Sequence, residues 1–351
     1  MTDERKPSLS ILGKVNARPR QAPLTPDPPS NVRLPLGRLL LLLARLIRPG
    51  LTIALTLPVL WGIGLAHWRG AAIDGWILGF LLLGQAAATV GLTVFGQYQD
   101  FRRARRLERM VPGTDFAEFM PAQDAPLNGD LFMLLYARVI RPGTARSVAL
   151  LALSLFALAY GWLGLLAGWP LWFFGSVVLL TVGIALWPSI RYDQRLWILG
   201  DVAVLLGLGV LPGLSALYAE TQSISHWDMA AALPAALIAW VAFNAYTLLT
   251  WRRDWKLRRG GLCVALGPER AMDVAAILSV ASVTLVLVLM AIRVLPLWSL
   301  LVLGGLPLLL RAFSYDSNRP FTYAKAMYAV ERASQAALLT GLLWLLAFWN
   351  A

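Results

Sequence analysis

Residues 147–188 read SVALLALSLFALAYGWLGLLAGWPLWFFGSVVLLTVGIALWP and contain no Asp, Glu, Lys or Arg. Crossing a hydrocarbon core takes about 20 mainly apolar residues in a helix, so this stretch suffices for two crossings. Gly168-Trp169-Pro170 interrupts it near the middle, which predicts spans at 147–167 and 171–188 joined by a very short turn. The same pattern continues outward on both sides. It predicts further spans at about 50–67, 75–96, 199–219, 228–249, 272–292, 296–312 and 334–350, nine in all. Trp68, Trp76, Trp169, Trp187, Trp227, Trp298 and Trp349 cluster near the predicted ends, where an aromatic belt belongs. The fold class read from this pattern is an all-α, polytopic membrane protein.

Composition agrees. The 351 residues are 58% hydrophobic and only 14% charged, with a mean hydropathy of +0.64. A soluble domain usually carries about 25% charged residues, so an ordinary globular enzyme is excluded. The net charge of +12 would suit a nucleic-acid binder if it lay on one soluble face. Instead, Lys and Arg fall between the apolar spans, and an anionic membrane surface is the partner they imply.

Their distribution sets the orientation. The N-terminal region and the connections after spans 2, 4, 6 and 8 hold 29 of the 31 Lys and Arg, while the connections after the odd spans hold only Arg69 and Arg293. Cytoplasmic segments carry the positive excess. This puts the N-terminus inside, the C-terminus outside and the protein in the cell inner membrane. Residues 1–34 are polar and proline-rich without an apolar h-region, and are expected to be a disordered cytoplasmic tail ahead of a 35–351 transmembrane domain. Residues 35–48 place Arg38, Arg45 and Arg48 among leucines and predict an interfacial amphipathic helix.

Cys263 is alone, so there is no disulfide framework and no thiolate metal site, and His67 and His226 lie far apart near span ends. Two basic loops remain as seats of chemistry, 96–116 after span 2 and 244–271 after span 6. Asp100 sits among Arg102, Arg103, Arg105 and Arg106, and Asp254 among Arg252, Arg253, Lys256, Arg258 and Arg259. Guanidinium and ammonium groups so gathered fit a phosphate or diphosphate. They also fit plain topology determinants facing anionic lipid.

Four segments carry a resemblance: RPGLTIALTLPVLWGIGLAHWRG (48–70), ARVIRPGTARSVALLAL (137–153), RLWILGDVAVLLGLGVLPGLSALYAET (195–221) and, most specific, LCVALGPERA (262–271). Together they resemble the UbiA-type intramembrane prenyltransferases, and within them the naphthoate-prenylating branch of menaquinone synthesis. The resemblance implies a helical bundle of nine spans, with Asp201 in a family glutamate position. Its activity would transfer an isoprenyl group from a diphosphate to an aromatic or other lipophilic acceptor, as in quinone biosynthesis.

In that family two aspartate-rich motifs hold Mg²⁺, which bridges to the diphosphate. Here the first motif reads Gly96, Gln97, Tyr98, Gln99, Asp100, Phe101 and, at its last acidic position, Ala104; in the second, Thr250 replaces the first aspartate and Asp254 keeps the last. Arg258 and Arg259 stand where the family has Gly-Lys. The resemblance therefore assigns Asp100 and Asp254 as catalytic and metal-binding residues for Mg²⁺, with Asp115 or water completing the ion's shell. Arg102, Arg103, Arg252, Arg253, Lys256 and Arg258 are the diphosphate-binding candidates. Asn244, Tyr246, Asp193 and Arg195 are assigned to an acceptor pocket.

Two outcomes of the lost aspartates stay open. Arginines replace the metal as the phosphate clamp, or catalysis is gone and a protein that binds a prenyl lipid, quinone or lipid phosphate remains. Glycines and prolines inside the spans (Gly62, Gly64, Gly161, Gly164, Pro212, Gly213 and Pro234) are expected to serve helix packing and kinks.

Overall fold

The computed structural model describes residues 48–111, 113–114, 116, 130–136, 138–314 and 321–351. The tail, most of the lead-in helix and Asp115 lie outside them. The described chain is helical throughout, in twelve segments: α1 Pro49–Trp68, α2 Gly75–Met110, α3 Leu131–Tyr136, α4 Pro142–Ala167, α5 Pro170–Leu186, α6 Pro188–Arg191, α7 Trp197–Thr221, α8 His226–Lys256, α9 Leu262–Leu266, α10 Pro268–Ala291, α11 Leu297–Phe313 and α12 Tyr323–Trp349. Each of the nine apolar stretches in the sequence falls on one of α1, α2, α4, α5, α7, α8, α10, α11 and α12. Six of these (α1, α2, α4, α7, α8 and α10) are long and apolar enough to cross a membrane, and α5 and α11 are shorter apolar helices.

The helices overrun the predicted spans in a consistent direction. The helices containing spans 2 and 6 do not stop at 96 and 249 but run on to Met110 and Lys256. Asp100 and Asp254 therefore sit on helices, not in loops. The reason is local: 97–110 holds five Arg and two Gln, 250–256 holds two Arg and a Lys, and neither contains Gly or Pro, so nothing ends the helix. The stretch ahead of the last span likewise forms the opening turns of α12, whose N-cap Thr322 accepts a hydrogen bond from the Lys325 amide.

Small residues set how closely the helices approach. A Cβ on Gly62 of α1 would lie 2.1 Å from the Gly213 carbonyl oxygen of α7. Glycine is therefore obligatory where these two backbones cross. Gly64 opens against Phe348 and Gly164 against Trp172, whereas nothing surrounds Gly161. Within α7, Leu206–Val210 widens into a single π-helical turn just ahead of Pro212. Proline 212 has no N–H to give the Leu208 carbonyl. Buried Gln85 of α2 supplies one instead, its Nε2 donating to the Leu208 oxygen at 2.8 Å and to the Leu55 oxygen at 2.6 Å. One amide thus ties three helices together beside Pro212 and satisfies the Leu208 carbonyl that the proline leaves without a donor.

Candidate functional site: an arginine-clasped cavity at one end of the bundle

The C-terminal parts of α2 and α8, the start of α1 and the short α6 meet at the same end of the bundle. There they surround a cavity of about 70 Å³ that opens to the outside. Its charged lining is Arg48, Arg191, Arg253, Arg259 and Asp201; Thr93, Gln97, Tyr246, Thr247 and Thr250 add polar groups. Leu51, Leu92, Ala185, Val204 and Phe243 give it an apolar wall. A site lined by both cations and hydrocarbon matches a phosphate headgroup on a lipid tail.

Asp100 is fully buried and both of its oxygens are engaged. Arg191 holds it in a two-point pair, Nε to Oδ1 at 3.1 Å and NH2 to Oδ2 at 2.9 Å. The Tyr192 hydroxyl donates to Oδ1 at 3.0 Å, and Arg259 NH1 approaches Oδ2 at 3.4 Å. Burial by itself would lower the Arg191 pKa, but Asp100 and Tyr192 outweigh it and hold the guanidinium above its ordinary range. Burial and then Asp100 push the Tyr192 phenol up, so it remains a neutral donor.

Two glycines make room for this. A Cβ on Gly96 would lie 2.8 Å from Arg191 NH2, and one on Gly260 would lie 2.9 Å from the Asp193 carbonyl. The Gly260 amide donates to the Arg191 carbonyl at 2.8 Å, which fixes the segment carrying Arg191 against the end of α8.

Asp254 is nearly as buried. Its Oδ2 accepts from Thr250 Oγ1 at 2.8 Å and from Arg259 NH1 at 3.2 Å, while Arg253 Nε lies 3.7 Å from Oδ1. Arg259 therefore bridges the two aspartates of the two motifs. It gets there through the way α8 ends. Arg258 takes a left-handed conformation (φ 55°), its amide donates to the Trp255 carbonyl, and the Arg259 amide donates to the Asp254 carbonyl at 2.8 Å. This double bond pattern reverses the chain and turns Arg259 inward while Arg258 is left exposed. Arg253, also buried, pairs with Asp130 ahead of α3 and stacks 4.4 Å from the Phe132 ring.

The candidates read from sequence thus divide. Asp100, Asp254, Arg253 and Tyr246 belong to the cavity or to the ion pairs behind it. Arg103 lies one layer back, its Nε donating to the Leu257 carbonyl and its guanidinium 4.3 Å over Tyr192. Arg102, Arg252 and Arg258 are exposed, and Lys256 sits 5.1 Å over the Phe116 ring; none of the four lines the cavity. Asn244 is buried against its own helix, donating to the Trp240 carbonyl. Asp193 accepts from the Arg195 amide and Arg195 is exposed, so these two form a local turn outside the lining.

Arg48, Arg191, Arg259, Thr250 and Asp201 are among the lining residues to which the sequence reading gave no binding role. Arg259 had a signal in the basic run around Asp254, and Arg191 one in its place two positions from Asp193.

A divalent cation does not fit the donor set as it stands. Mg²⁺ asks for near-octahedral oxygen ligation. Both Asp100 oxygens and one of Asp254 already accept from guanidinium, hydroxyl or both, and the surrounding arginines repel a cation. Among the described residues no group of three or more His, Cys, Asp or Glu is arranged to hold a metal ion.

No protein-family model and no curated protein matches the chain. Solved structures do match in fold. A UbiA homologue from Archaeoglobus fulgidus, bound to DMAPP and Mg²⁺, has a TM-score of 0.52 at 15% identity and covers 86% of this chain and 98% of its own. The apo UbiA homologue from Aeropyrum pernix K1 gives 0.54 at 14% identity, covering 85% and 97%. A digeranylgeranylglyceryl phosphate synthase gives 0.51 at 14% identity, covering 89% and 99%. This chain has the fold of the UbiA-type membrane prenyltransferases.

Proposed function

We propose that the chain is a prenyltransferase-like membrane protein that takes an isoprenyl diphosphate into its cavity and transfers the isoprenyl group to a lipophilic acceptor. The observation that carries this reading is the cavity's mixed lining, in which Arg48, Arg191, Arg253 and Arg259 occur together with apolar Leu51, Leu92 and Phe243. The likeness in fold to UbiA homologues bound to DMAPP or GPP supports it. In such a reaction the allylic C–O bond breaks and its electron pair leaves with the diphosphate. The acceptor supplies the pair for the new bond and gives up a proton. The arginines stabilise the charge that develops on the departing diphosphate, where fixed donors contribute most.

The 29-to-2 distribution of Lys and Arg supports nine crossings with the cavity end on the cytoplasmic side of the inner membrane. The experiment is turnover in lipid nanodiscs, following pyrophosphate release from isoprenyl diphosphates of several lengths with aromatic acceptors. Release dependent on the acceptor is expected; no release with any pair would sink the reading.

A second reading, binding of a prenyl lipid or lipid phosphate without turnover, is favoured by one specific feature. Arg191 takes up both oxygens of Asp100, so this carboxylate is not free for the metal-binding, catalytic role that its place in the motif implies. Lipid extracted from the purified protein and identified by mass spectrometry separates the two. A single enriched prenyl or phospholipid species without turnover points to binding alone.

A further inference from the structure

We infer that this cavity binds its phosphate-bearing ligand on guanidinium groups alone, and that Asp100 and Asp254 are positioning residues for arginine rather than ligands for a cation. The inference rests on the reading above only for the class of ligand. It concerns how the phosphate is held, and it assigns to two carboxylates a role opposite to the one that their place in the sequence implies.

Three observations carry it. First, Asp100 is fully buried behind the arginines that line the cavity, and Arg191 covers both of its oxygens. A cation could reach it only by displacing a guanidinium already seated in a two-point pair, the strongest arrangement for these two groups. Second, Arg259 NH1 lies 3.4 Å from Asp100 Oδ2 and 3.2 Å from Asp254 Oδ2, so the space between the two carboxylates is filled by positive charge. Third, the structure is built to keep these arginines in place. Gly96 leaves open the space that Arg191 NH2 occupies, 2.8 Å from where a Cβ would lie, and the left-handed turn at Arg258 aims Arg259. One NH1 of Arg259 serves both carboxylates, and the remaining N–H groups of its planar fork are left to meet an anion.

The charge logic gives a test whose sign separates the alternatives. If the aspartates hold a cation that bridges to phosphate, neutralising either one weakens anion binding. If they only orient arginines, replacing one by its amide keeps an oxygen that accepts from guanidinium and leaves an extra positive charge in the cavity, so anion binding is kept or strengthened. The probe is inorganic pyrophosphate, titrated into the full chain in nanodiscs by calorimetry, with Mg²⁺ or with EDTA. The expected result is equal affinity in the two buffers and affinity that falls as salt rises. Asp254→Asn is expected to bind at least as tightly as the unaltered protein. Arg259→Gln should bind about tenfold more weakly or worse, the scale of losing hydrogen bonds to a charged group.

Affinity that appears only with Mg²⁺, or Asp254→Asn that loses it, overturns the inference. Because Asp100→Asn strands a buried guanidinium and threatens folding, the double variant Asp100→Asn with Arg191→Gln serves as the second measurement. A folded double variant whose residual pyrophosphate binding remains indifferent to EDTA supports the inference, and one that gains Mg²⁺ dependence overturns it. Pyrophosphate binding is measured without turnover, so a protein that binds but never transfers an isoprenyl group refutes the proposed reaction and leaves this inference standing.

Discussion

The two ends of the bundle use the same chemical groups for different ends. At the cavity end, Asp100 and Arg191 are 0% and 7% exposed in their side chains and sit in a network with Tyr192, Arg259 and Asp254. At the opposite end, Arg69, following α1, pairs with Asp228 at the start of α8, with side chains 29% and 0% exposed. Asp228 also completes a capping box, accepting from the Ser225 amide at 2.6 Å. That pair staples two helices and has no part in the cavity lining described above. The cavity-end network instead holds arginines in fixed positions beside open space. A buried ion pair is weak grounds for stability, so the difference teaches that a buried network facing a cavity is best read as preorganisation, and a half-exposed pair at a helix start as a fastening.

The largest expected effect tests the first half of that contrast. Arg191→Gln leaves the Asp100 carboxylate buried with only Tyr192 and Arg259, and should cost about 3–5 kcal/mol of stability. Thermal unfolding in detergent reads it, and a change under about 1 kcal/mol would mean that the network is looser than its geometry implies. Next comes the crossing between the two ends. Gly62→Ala forces a Cβ against the Gly213 carbonyl and should cost about 1–3 kcal/mol. Gly161→Ala, which meets nothing within 4 Å, should change stability by no more than about 0.5 kcal/mol.

At the far end, Arg69→Gln should cost only about 1 kcal/mol, because a partly exposed pair contributes little and Asp228 keeps its bonds at Ser225. A loss as large as that of Arg191→Gln would erase the distinction between the ends.

The smallest effect is a matter of reactivity. Cys263 is 2% exposed, its Sγ lies 2.9 Å from Thr247 Oγ1, and burial pushes its thiol up to about 12. A raised pKa keeps the neutral thiol through the neutral range and up to that value. Maleimide labelling at pH 8 should therefore run at least about a hundredfold slower than for a peptide cysteine. Fast labelling would reveal a cavity end that opens.

Much of this architecture was legible in the chain. The apolar stretches located the helices because a membrane-spanning helix must satisfy its backbone internally and face hydrocarbon over a fixed length. Asp100 and Asp254 stood out because carboxylates are rare in such a sequence. The helix ends were misread at 96 and 249 because hydropathy marks where apolar character stops, whereas a helix continues until a residue breaks it.

Of the arginines assigned to the diphosphate beside the two aspartates, only Arg253 lines the cavity. Arg102 and Arg252 stand two residues from an aspartate and point to another side of the helix; Arg103, three along, is turned to the Leu257 carbonyl, and Arg258 lies past the end of α8. Asp100 is instead held by Arg191, 91 residues on, and Asp254 shares Arg259 with it through a turn that no local pattern announces.

What the sequence alone determined is the helical class, the positions of the nine apolar helices, the asymmetry of charge and the two aspartates around which the site is organised. These follow from length, burial and the cost of placing charge in hydrocarbon, all of which act residue by residue. The tertiary structure decided which arginine reaches which carboxylate, and with it whether the aspartates look outward to a cation or inward to a guanidinium. That choice depends on distances of about 3 Å between groups from different helices. Only the packed bundle, with Gly96 and Gly260 yielding the space, brings those groups together.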